Sequence, residues 1–345
     1  MICSFYKVDK TNNNKFVGLQ DNASLVVDSS SYSLTKRPVE LNDFTCKCEA
    51  FTENIQPTFL VVSDDIGNYI YGSLAGVPIL NDSNQTEING TDLKSLLASD
   101  IIIEPTTYST VNAYLTYIFN QWNSQVNQNS FTCELVFNSN VGNISITNLV
   151  PSTEKVVVDA LEEFQSYLRF YDLYVDTRID LINSKVIFTV GKTLLNLVNI
   201  KLWEYGIKNY GKWIASINEC QGYYIDKDTG IWTAGYKWIL TSSNDFTITE
   251  ANRDIYPIKR KIITSEESLN EANTNALMEL SNGLYNESIE IPVTDITPTF
   301  ESKFAIYVRR GEAKYKDLPC GELVYNSGGL VKVKIGYRYD NINFI

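Results

Sequence analysis

Up to about residue 90, apolar and polar positions alternate or form short apolar runs. These runs cover residues 24–28, 44–51, 58–63 and 69–79. Turn-forming residues such as Asn42-Asp43 separate them. A period of two is typical of strands, because successive side chains point to opposite faces. Several short strands at this spacing predict a small antiparallel barrel or sandwich.

From about residue 92 the apolar positions recur at helical spacing instead. Three helices are predicted, over residues 92–98, 110–126 and 153–171. Thr91 and Ser152 are expected to be the N-caps of the first and third helices. The second helix carries one apolar stripe of six side chains: Val111, Tyr114, Leu115, Ile118, Phe119 and Trp122.

Strands are also predicted in this middle section. One pair covers residues 131–137 and 141–147, and another covers 174–179 and 185–190. The turn residues Asn183-Ser184 join the second pair. We therefore expect an α+β section with its helices on one face of a small sheet.

Strand patterns return beyond residue 199 and are interrupted by one further helix. The predicted strands cover residues 199–204, 213–219, 223–225, 231–240, 288–293, 304–309, 321–325 and 330–337. The helix is predicted over 269–282, with Ser268 and Glu271 as a capping box and Gly283 as its terminator. The fold class is therefore expected to be β-rich α+β, with two β modules around an α+β module. The second β module carries an insertion.

The composition narrows the chemistry that this chain can perform. Among 345 residues there is no histidine, which excludes Ser-His-Asp triads, Cys-His pairs and zinc sites of the HExxH type. The formal net charge is −12, and an acidic surface repels nucleic-acid backbones, so stable nucleic-acid binding is not expected. The same repulsion suits a channel through which DNA passes without sticking.

Six cysteines are spread along the chain, and two of them, Cys46 and Cys48, are two residues apart. This spacing on a strand points both thiols to one face, and it is not the spacing of a redox CxxC motif or a zinc knuckle. We therefore expect buried thiols. The N-terminal residues lack the pattern of a signal peptide, and no apolar run has the length of a membrane span. The expectation is a soluble protein made in a cytoplasm, with no membrane insertion.

Pairs of acidic residues are the remaining candidates for catalysis or metal binding. Glu162 and Glu163 are adjacent on a predicted helix, where neighbouring side chains diverge by about 100° and cannot flank one bond. Asp226 and Asp228 lack the rest of a calcium-binding loop, and turn formation explains them better. We expect no catalytic, cofactor-binding or metal-binding residue, and hence no enzyme.

Two features leave a binding function open. The basic runs Lys259-Arg260-Lys261 and Arg309-Arg310 either complement an acidic neighbour or are ordinary charged strand ends. A group of four aromatic residues is either a sugar-stacking platform or ordinary strand packing. The group is Trp203, Tyr205, Tyr210 and Trp213.

The ordered set of segments resembles the central tail-hub proteins of phages and related injection machines, the twin-barrel hubs of baseplates and long tails. The segments that carry this resemblance are residues 24–28, 36–46, 70–76, 87–97, 160–174, 185–191, 272–280 and 288–292. The passage Ile70-Tyr-Gly-Ser-Leu-Ala-Gly76 followed by Glu87-Ile-Asn-Gly-Thr-Asp-Leu-Lys-Ser-Leu-Leu97 is similar to a recurrent passage of that family. The resemblance covers nearly the whole chain.

This resemblance implies two small β-barrels of the same topology. It divides the chain into a first barrel (1–83), an α+β domain (84–192), a second barrel (193–221 with 290–345) and an inserted α+β domain (222–289). In such hubs three copies place six barrels in a ring, which adapts a six-fold tail tube to a three-fold tip. No interface residue can be transferred from the family to this sequence.

The function implied is that of a homotrimeric structural component of a virion tail, a baseplate or tail hub that surrounds the channel used in DNA ejection. Its expected partners are the tail tube or distal tail protein, a tip fibre or spike, and the tape-measure protein, with DNA only in transit. The sequence reaches Ile345 without the hydrolase or fibre extension of some relatives, so we expect no cell-wall hydrolase in this chain. One alternative is a receptor- or carbohydrate-binding tail adhesin, and another is a glycosidase that works with two carboxylates.

Overall fold

The computed structural model describes most of the chain. The described residues are 2–19, 24–26, 32–49, 58–64, 66–76, 79–80, 85–105, 107–128, 130–146, 154–205, 217–242, 246–282, 289–292, 298–307, 315–326 and 329–335. The fold is β-rich with a few helices, as the sequence predicts.

The chain begins with nine strands, continues with a mixed helical and strand section, and returns to strands that one helix interrupts. The first strands are β1 (Ile2–Asp9), β2 (Lys15–Gly18), β3 (Ser24–Val26), β4 (Ser33–Lys36), β5 (Asp43–Glu49), β6 (Phe59–Ser63), β7 (Tyr69–Ala75), β8 (Ile79–Leu80) and β9 (Gln85–Asp92). The middle section contains β10 (Asp100–Ile103), α1 (Val111–Trp122), β11 (Thr132–Phe137), β12 (Val156–Asp159), α2 (Ala160–Phe170), β13 (Leu173–Asp180) and β14 (Lys185–Lys192). The last part contains β15 (Asn196–Lys201), β16 (Glu219–Ile225), β17 (Trp232–Leu240), β18 (Phe246–Thr247), β19 (Arg260–Ser265), α3 (Leu269–Asn282), β20 (Ile289–Pro292), β21 (Ser302–Tyr307), β22 (Tyr315–Asn326) and β23 (Gly329–Ile335).

One large sheet joins the two ends of the chain. Its main path runs β15-β21-β22-β4-β5-β9-β7-β6-β1-β2, and with its side branches it has fourteen strands. The connection between the N-terminal and C-terminal strands is the antiparallel pair β4–β22, in which Lys36 lies opposite Leu323 and Ser33 opposite Asn326. The two predicted β modules are therefore continuous through hydrogen bonds between backbones.

The N-terminal part of this sheet curls. β3 pairs with β1 and also lies beside β5, although three other strands separate β1 from β5 along the sheet. The pairings of the described residues do not close a barrel, so the twin-barrel arrangement stays a prediction.

The middle section packs two helices against the three-stranded sheet β11-β14-β13. All six residues of the stripe predicted on α1, from Val111 to Trp122, are buried. They belong to the main apolar core together with Phe164 and Leu168 of α2 and Phe188 of β14. The helix begins where the side chain of Thr110 accepts a hydrogen bond from the Ala113 N–H.

The predicted helix over 153–171 is wrong at its N-terminal end. Residues Val156–Asp159 form β12, which pairs with β10, and helix α2 begins only at Ala160. Three successive valines favour an extended backbone, and the isoleucines of β10 provide a partner strand. Asp159, whose carboxylate accepts the Glu162 N–H at 2.9 Å, is the observed N-cap. The predicted cap, Ser152, lies outside the described residues.

Two other local predictions need correction. Residues 141–146 do not form a strand paired with β11; β11 pairs in parallel with β14, and Ser145 makes only an isolated bridge to Thr110. The helix predicted over 92–98 is a 3-10 helix, Leu93–Leu97, capped by Asp92 and not by Thr91. A carboxylate two residues before Lys94 accepts its N–H at 3.0 Å, which accounts for the shift of the cap.

A second, four-stranded sheet, β18-β17-β16-β19, covers Glu219 to Ser265, so its first strand begins three residues before the predicted insertion. Strands β16 and β17 form an antiparallel hairpin, and the Gly230 N–H donates to the Asp226 carbonyl in its turn. The bounds of α3 agree with the prediction, and Ser268 caps it by accepting the Glu271 N–H at 3.1 Å. The expected terminator, Gly283, lies outside the described residues.

Candidate interaction surfaces

The acidic pair on α2 is split between solvent and interior. Glu162 is exposed, whereas Glu163 turns inward, where its Oε1 accepts the Tyr114 hydroxyl at 2.7 Å. Burial raises the pKa of the Glu163 carboxyl, and the hydrogen bond from Tyr114 opposes this shift. The two carboxyls therefore do not face a common cleft.

Asp226, singled out in the sequence, and Asp64 both form turns. The Asp226 carboxylate accepts the N–H groups of Asp228 and Thr229, and Asp64 accepts those of Ile66 and Asn68. Hydrogen bonds to the charged form lower the pKa of Asp226. Within the described residues, no group of three or more cysteine, aspartate or glutamate side chains could hold a metal ion.

The basic run 259–261 is largely neutralised within its own chain. Arg260 pairs with buried Glu219, and the Lys261 Nζ lies 2.5 Å from Glu279 Oε1 on α3. These contacts favour a structural role for the run. The second basic run, Arg309-Arg310, lies outside the described residues. Of the four aromatic residues that could stack on a sugar, only the backbone of Trp203 and Tyr205 is described. Tyr210 and Trp213 lie outside the described residues.

The four-stranded sheet has one covered and one exposed face. Helix α3 packs on the first, where Ala276 and Leu280 bury Cys220 and Leu240. We call the opposite side the outer face, and it is assigned from the strand register. It carries Glu219, Gln221, Tyr223 and Ile225 of β16, Trp232, Ala234, Lys237 and Ile239 of β17, and Arg260, Ile262 and Thr264 of β19.

One half of the outer face is apolar and open to solvent. The rings of Tyr223 and Trp232 lie 5.8 Å apart, Trp232 is 57% exposed, and Ile262 is 51% exposed. Large apolar side chains grouped on an exposed sheet are typical of a protein–protein contact. The sequence analysis missed this surface because it treated residues 259–261 only as a basic run and predicted no strand at β19.

Ion pairs between side chains cover the other half of the outer face. The buried carboxylate of Glu219 lies between the guanidinium groups of Arg253 and Arg260. Glu250 in turn contacts Arg253 Nε at 2.5 Å and Lys237 Nζ at 2.8 Å. These pairs lower the pKa of Glu250 to about 2, so it stays ionised at neutral pH.

A shallow groove of about 490 Å³ lies along α1. Two tyrosines, one phenylalanine and several amide and hydroxyl side chains line it: Tyr108, Thr110, Asn112, Ala113, Thr116, Tyr117, Asn120, Phe137 and Asn143. The Tyr117 hydroxyl accepts the Glu104 N–H at 2.9 Å, which fixes one ring at the edge of the groove. Aromatic faces beside amides suit the apolar and hydroxyl sides of a sugar ring.

Residues 37–42, which we call the junction loop, contact the end of the N-terminal strands, the middle section and the C-terminal strands. Its carbonyls at Arg37 and Glu40 accept the buried Lys94 Nζ at 2.8 and 2.5 Å, and Lys94 lies 3.6 Å from Asp92. Burial lowers the pKa of Lys94, and the nearby Asp92 carboxylate opposes this shift.

The same loop contacts the middle section and the C-terminal strands. Arg169 of α2 donates to the Glu40 carboxylate at 3.2 Å, and Arg37 donates to Glu322 of β22 at 3.1 Å. A polar cluster therefore holds the N-terminal sheet, α2 and the C-terminal strands in a fixed relation.

No helix in the described part of the chain combines the length and apolarity that crossing a bilayer requires.

No protein-family model matches the sequence, and no curated protein matches it significantly. Among solved structures, the prophage tail protein gp18 of Listeria monocytogenes EGD-e is similar over 99% of this chain and 95% of its own, at 11% identity and a TM-score of 0.52. This chain therefore has the fold of a phage tail protein, which confirms, for the fold, the resemblance seen in the sequence.

Two other structures are more distant. The E. coli c3393 protein, a component of the type VI secretion system described as similar to the T4 tail proteins gp27 and gp5, has a TM-score of 0.44 and 8% identity. It is matched over 94% of this chain and 76% of its own. The Francisella PdpA-VgrG complex in its lidded form has a TM-score of 0.48 and 11% identity, over 99% of this chain and 54% of that one.

Proposed function

We propose that this protein is a structural tail hub: a homotrimer that adapts the end of a six-fold tail tube to a three-fold tip and surrounds the channel for DNA. The observation that carries the proposal is the similarity to a phage tail protein over nearly the full length of both chains. A full-length match supports a shared architecture and not merely a shared motif.

The sheet topology supports a geometric mechanism. Two β modules per chain, joined at the β4–β22 pair, would give six similar modules in a ring of three chains. In this proposal residues 1–83 form the first barrel, residues 193–221 with 290–345 form the second, and 84–192 and 222–289 form the α+β domains between and within them. The junction loop holds the modules of one chain at a fixed angle.

The proposed role is non-catalytic and lies in the virion tail. The hub would contact the tail tube or distal tail protein on one side and a fibre or spike on the other, with the tape-measure protein as a further partner. The net charge of −12 favours a lumen that repels DNA, and a trimer with a basic lumen would contradict this part of the proposal.

The solution mass of the purified chain tests the trimer. Light scattering is expected to give three times the chain mass of 39.1 kDa. A dimer would contradict the hub, and so would a monomer that binds glycans.

A second candidate function is favoured by the groove along α1, namely carbohydrate binding by a tail adhesin. Its aromatic and amide lining is suited to sugar rings. Binding of the purified protein to a glycan array tests this function, with Tyr117→Ala expected to abolish any specific signal. Tyr236→Ala, which removes an exposed tyrosine from β17, is the control and should leave the signal unchanged.

A further inference from the structure

Two cysteines meet in the interior of the curled N-terminal sheet. Cys3 of β1 and Cys46 of β5 are 0% and 1% exposed, and their sulfurs are 3.6 Å apart. This distance is a van der Waals contact between two thiols, and one of them donates a weak S–H hydrogen bond to the other. It is longer than an S–S bond of about 2.05 Å.

The contact crosses the interior and does not follow the sheet. Strands β9, β7 and β6 lie between β5 and β1. At about 4.8 Å per strand, a flat sheet would hold β1 and β5 about 19 Å apart. The curl therefore brings two strands distant in the sheet together through their inward-facing side chains. A bond between these sulfurs would therefore link two strands that are not neighbours in the sheet.

The surroundings of the pair are apolar except for the buried hydroxyls of Tyr32 and Tyr71. The residues of this core cluster are Phe5, Tyr32, Leu34, Phe44, Leu60, Val62, Tyr71 and Ile88. Such a cluster excludes bulky polar reagents such as glutathione disulfide, but a molecule close in size to water can enter during local opening. The oxidant that suits this site is a small hydroperoxide.

We propose that Cys3 and Cys46 form an oxidation site that a small hydroperoxide converts to a disulfide across the sheet interior. One thiol loses its proton, and the thiolate attacks a peroxide oxygen and becomes a sulfenic acid as the O–O bond breaks; with hydrogen peroxide, the departing hydroxide takes up that proton and leaves as water. The second sulfur then attacks the sulfenic sulfur, the S–S bond forms, and the hydroxyl leaves as a second water. In sum, two thiols lose two protons and two electrons, and one hydrogen peroxide is reduced to two waters.

The disulfide would fasten the N-terminal strand to β5. It would close a loop that spans the 43 positions between Cys3 and Cys46, which restricts the unfolded chain more than the folded one. The oxidised protein is therefore expected to unfold at a higher temperature than the reduced protein. This inference does not depend on the proposed tail function.

Peptide mass spectrometry of the full chain tests the site. Reduced protein is treated with hydrogen peroxide, unfolded, alkylated with iodoacetamide and digested. We expect a peptide pair joined through Cys3 and Cys46, lighter by two hydrogens than the separate peptides, and a rise in the melting temperature that dithiothreitol reverses.

Two variants sharpen the result. Cys3→Ser should lose both the linked peptide and the melting shift, whereas Cys320→Ser, which changes an equally buried cysteine elsewhere in the large sheet, should keep both. The wild-type shift and its reversal do not depend on how well Cys3→Ser folds. A bond from Cys46 to Cys48, a bond between chains, or full alkylation of Cys3 and Cys46 after oxidation would overturn the proposal.

Discussion

At the scale of single residues, Glu163 is an inward-facing carboxyl that the pH can test. Burial raises its pKa in the folded protein above the value of about 4.3 for an unfolded chain. At pH values below the pKa of the unfolded chain, Glu163 is neutral in both the folded and the unfolded state. As the pH rises above it, the unfolded state ionises first, so the free energy of unfolding falls until the pH passes the folded pKa.

Glu163→Gln should remove this loss of stability. The amide oxygen can still accept the Tyr114 hydroxyl, but it does not titrate. We expect the variant to gain stability relative to wild type as the pH rises above the pKa of the unfolded glutamate, because only wild type then loses stability. Urea unfolding at several pH values measures this. Glu162→Gln, on the exposed neighbour, is the control for the substitution of a glutamate by a glutamine on this helix.

Lys94 is the cation at the centre of the junction. Lys94→Met would leave Asp92 buried without its nearest cation and would free the carbonyls of Arg37 and Glu40. The expected loss is about 3–5 kcal/mol in the free energy of unfolding, since an uncompensated buried charge remains. Denaturant unfolding measures it. Lys15→Met, at an exposed strand position, is the control, and an equal loss in both variants would contradict this role of Lys94.

The sequence predicts residue roles well where they are local. The cap Ser268 and the stripe on α1 depend on neighbours within a few positions, and the structure shows both, whereas the predicted cap Thr91 is wrong because Asp92 caps that helix. The contacts of Lys94 and Arg37 could not be predicted, because their partners lie far along the chain. Arg37 and Glu322, for instance, are 285 positions apart.

At the scale of elements, α3 lies close to strand β16 because of a glycine. A Cβ at Gly222 would come within 2.3 Å of the Ala272 carbonyl oxygen, which belongs to the helix backbone. Gly222→Ala should therefore push α3 away from the sheet and lower the free energy of unfolding by about 1–3 kcal/mol. Thermal unfolding measures the change. In Gly18→Ala the added Cβ would be 3.8 Å from Tyr6, so this control should change little.

Element boundaries show where sequence patterns stop being informative. The apolar spacing around Val157 fits both a helix and a strand, and pairing with β10 decides in favour of the strand. The apolar residues of 141–146 likewise fit a hairpin with β11, but β11 pairs in parallel with β14 and Ser145 makes only an isolated bridge to Thr110. Both outcomes depend on strands that lie far away in the sequence.

At the scale of the whole molecule, the outer face is the described surface best suited to a neighbouring subunit. Trp232→Ser combined with Ile262→Ser removes two exposed apolar side chains without changing the α3 side of the sheet. If this face contacts another subunit, the variant should dissociate at a higher protein concentration than wild type, with an unchanged melting temperature at high dilution. Light scattering over a dilution series measures this. Tyr256→Ser, at an exposed residue outside the four-stranded sheet, is the control.

The order of strand-rich, mixed and again strand-rich segments could be predicted from the sequence, because strands and helices have different apolar periods. The continuity of the two β modules through β4 and β22 could not, since Lys36 and Leu323 pair across almost the whole chain. In the proposed ring, this pairing determines how the two β modules of one chain lie next to each other.

Averaged electron images of the purified protein, reconstructed without imposed symmetry, are the decisive test of the tail-hub function. We expect a three-fold ring around an open channel, with six similar β modules arranged around one face. A ring of another symmetry, or a three-fold particle without a channel along its axis, would contradict that function.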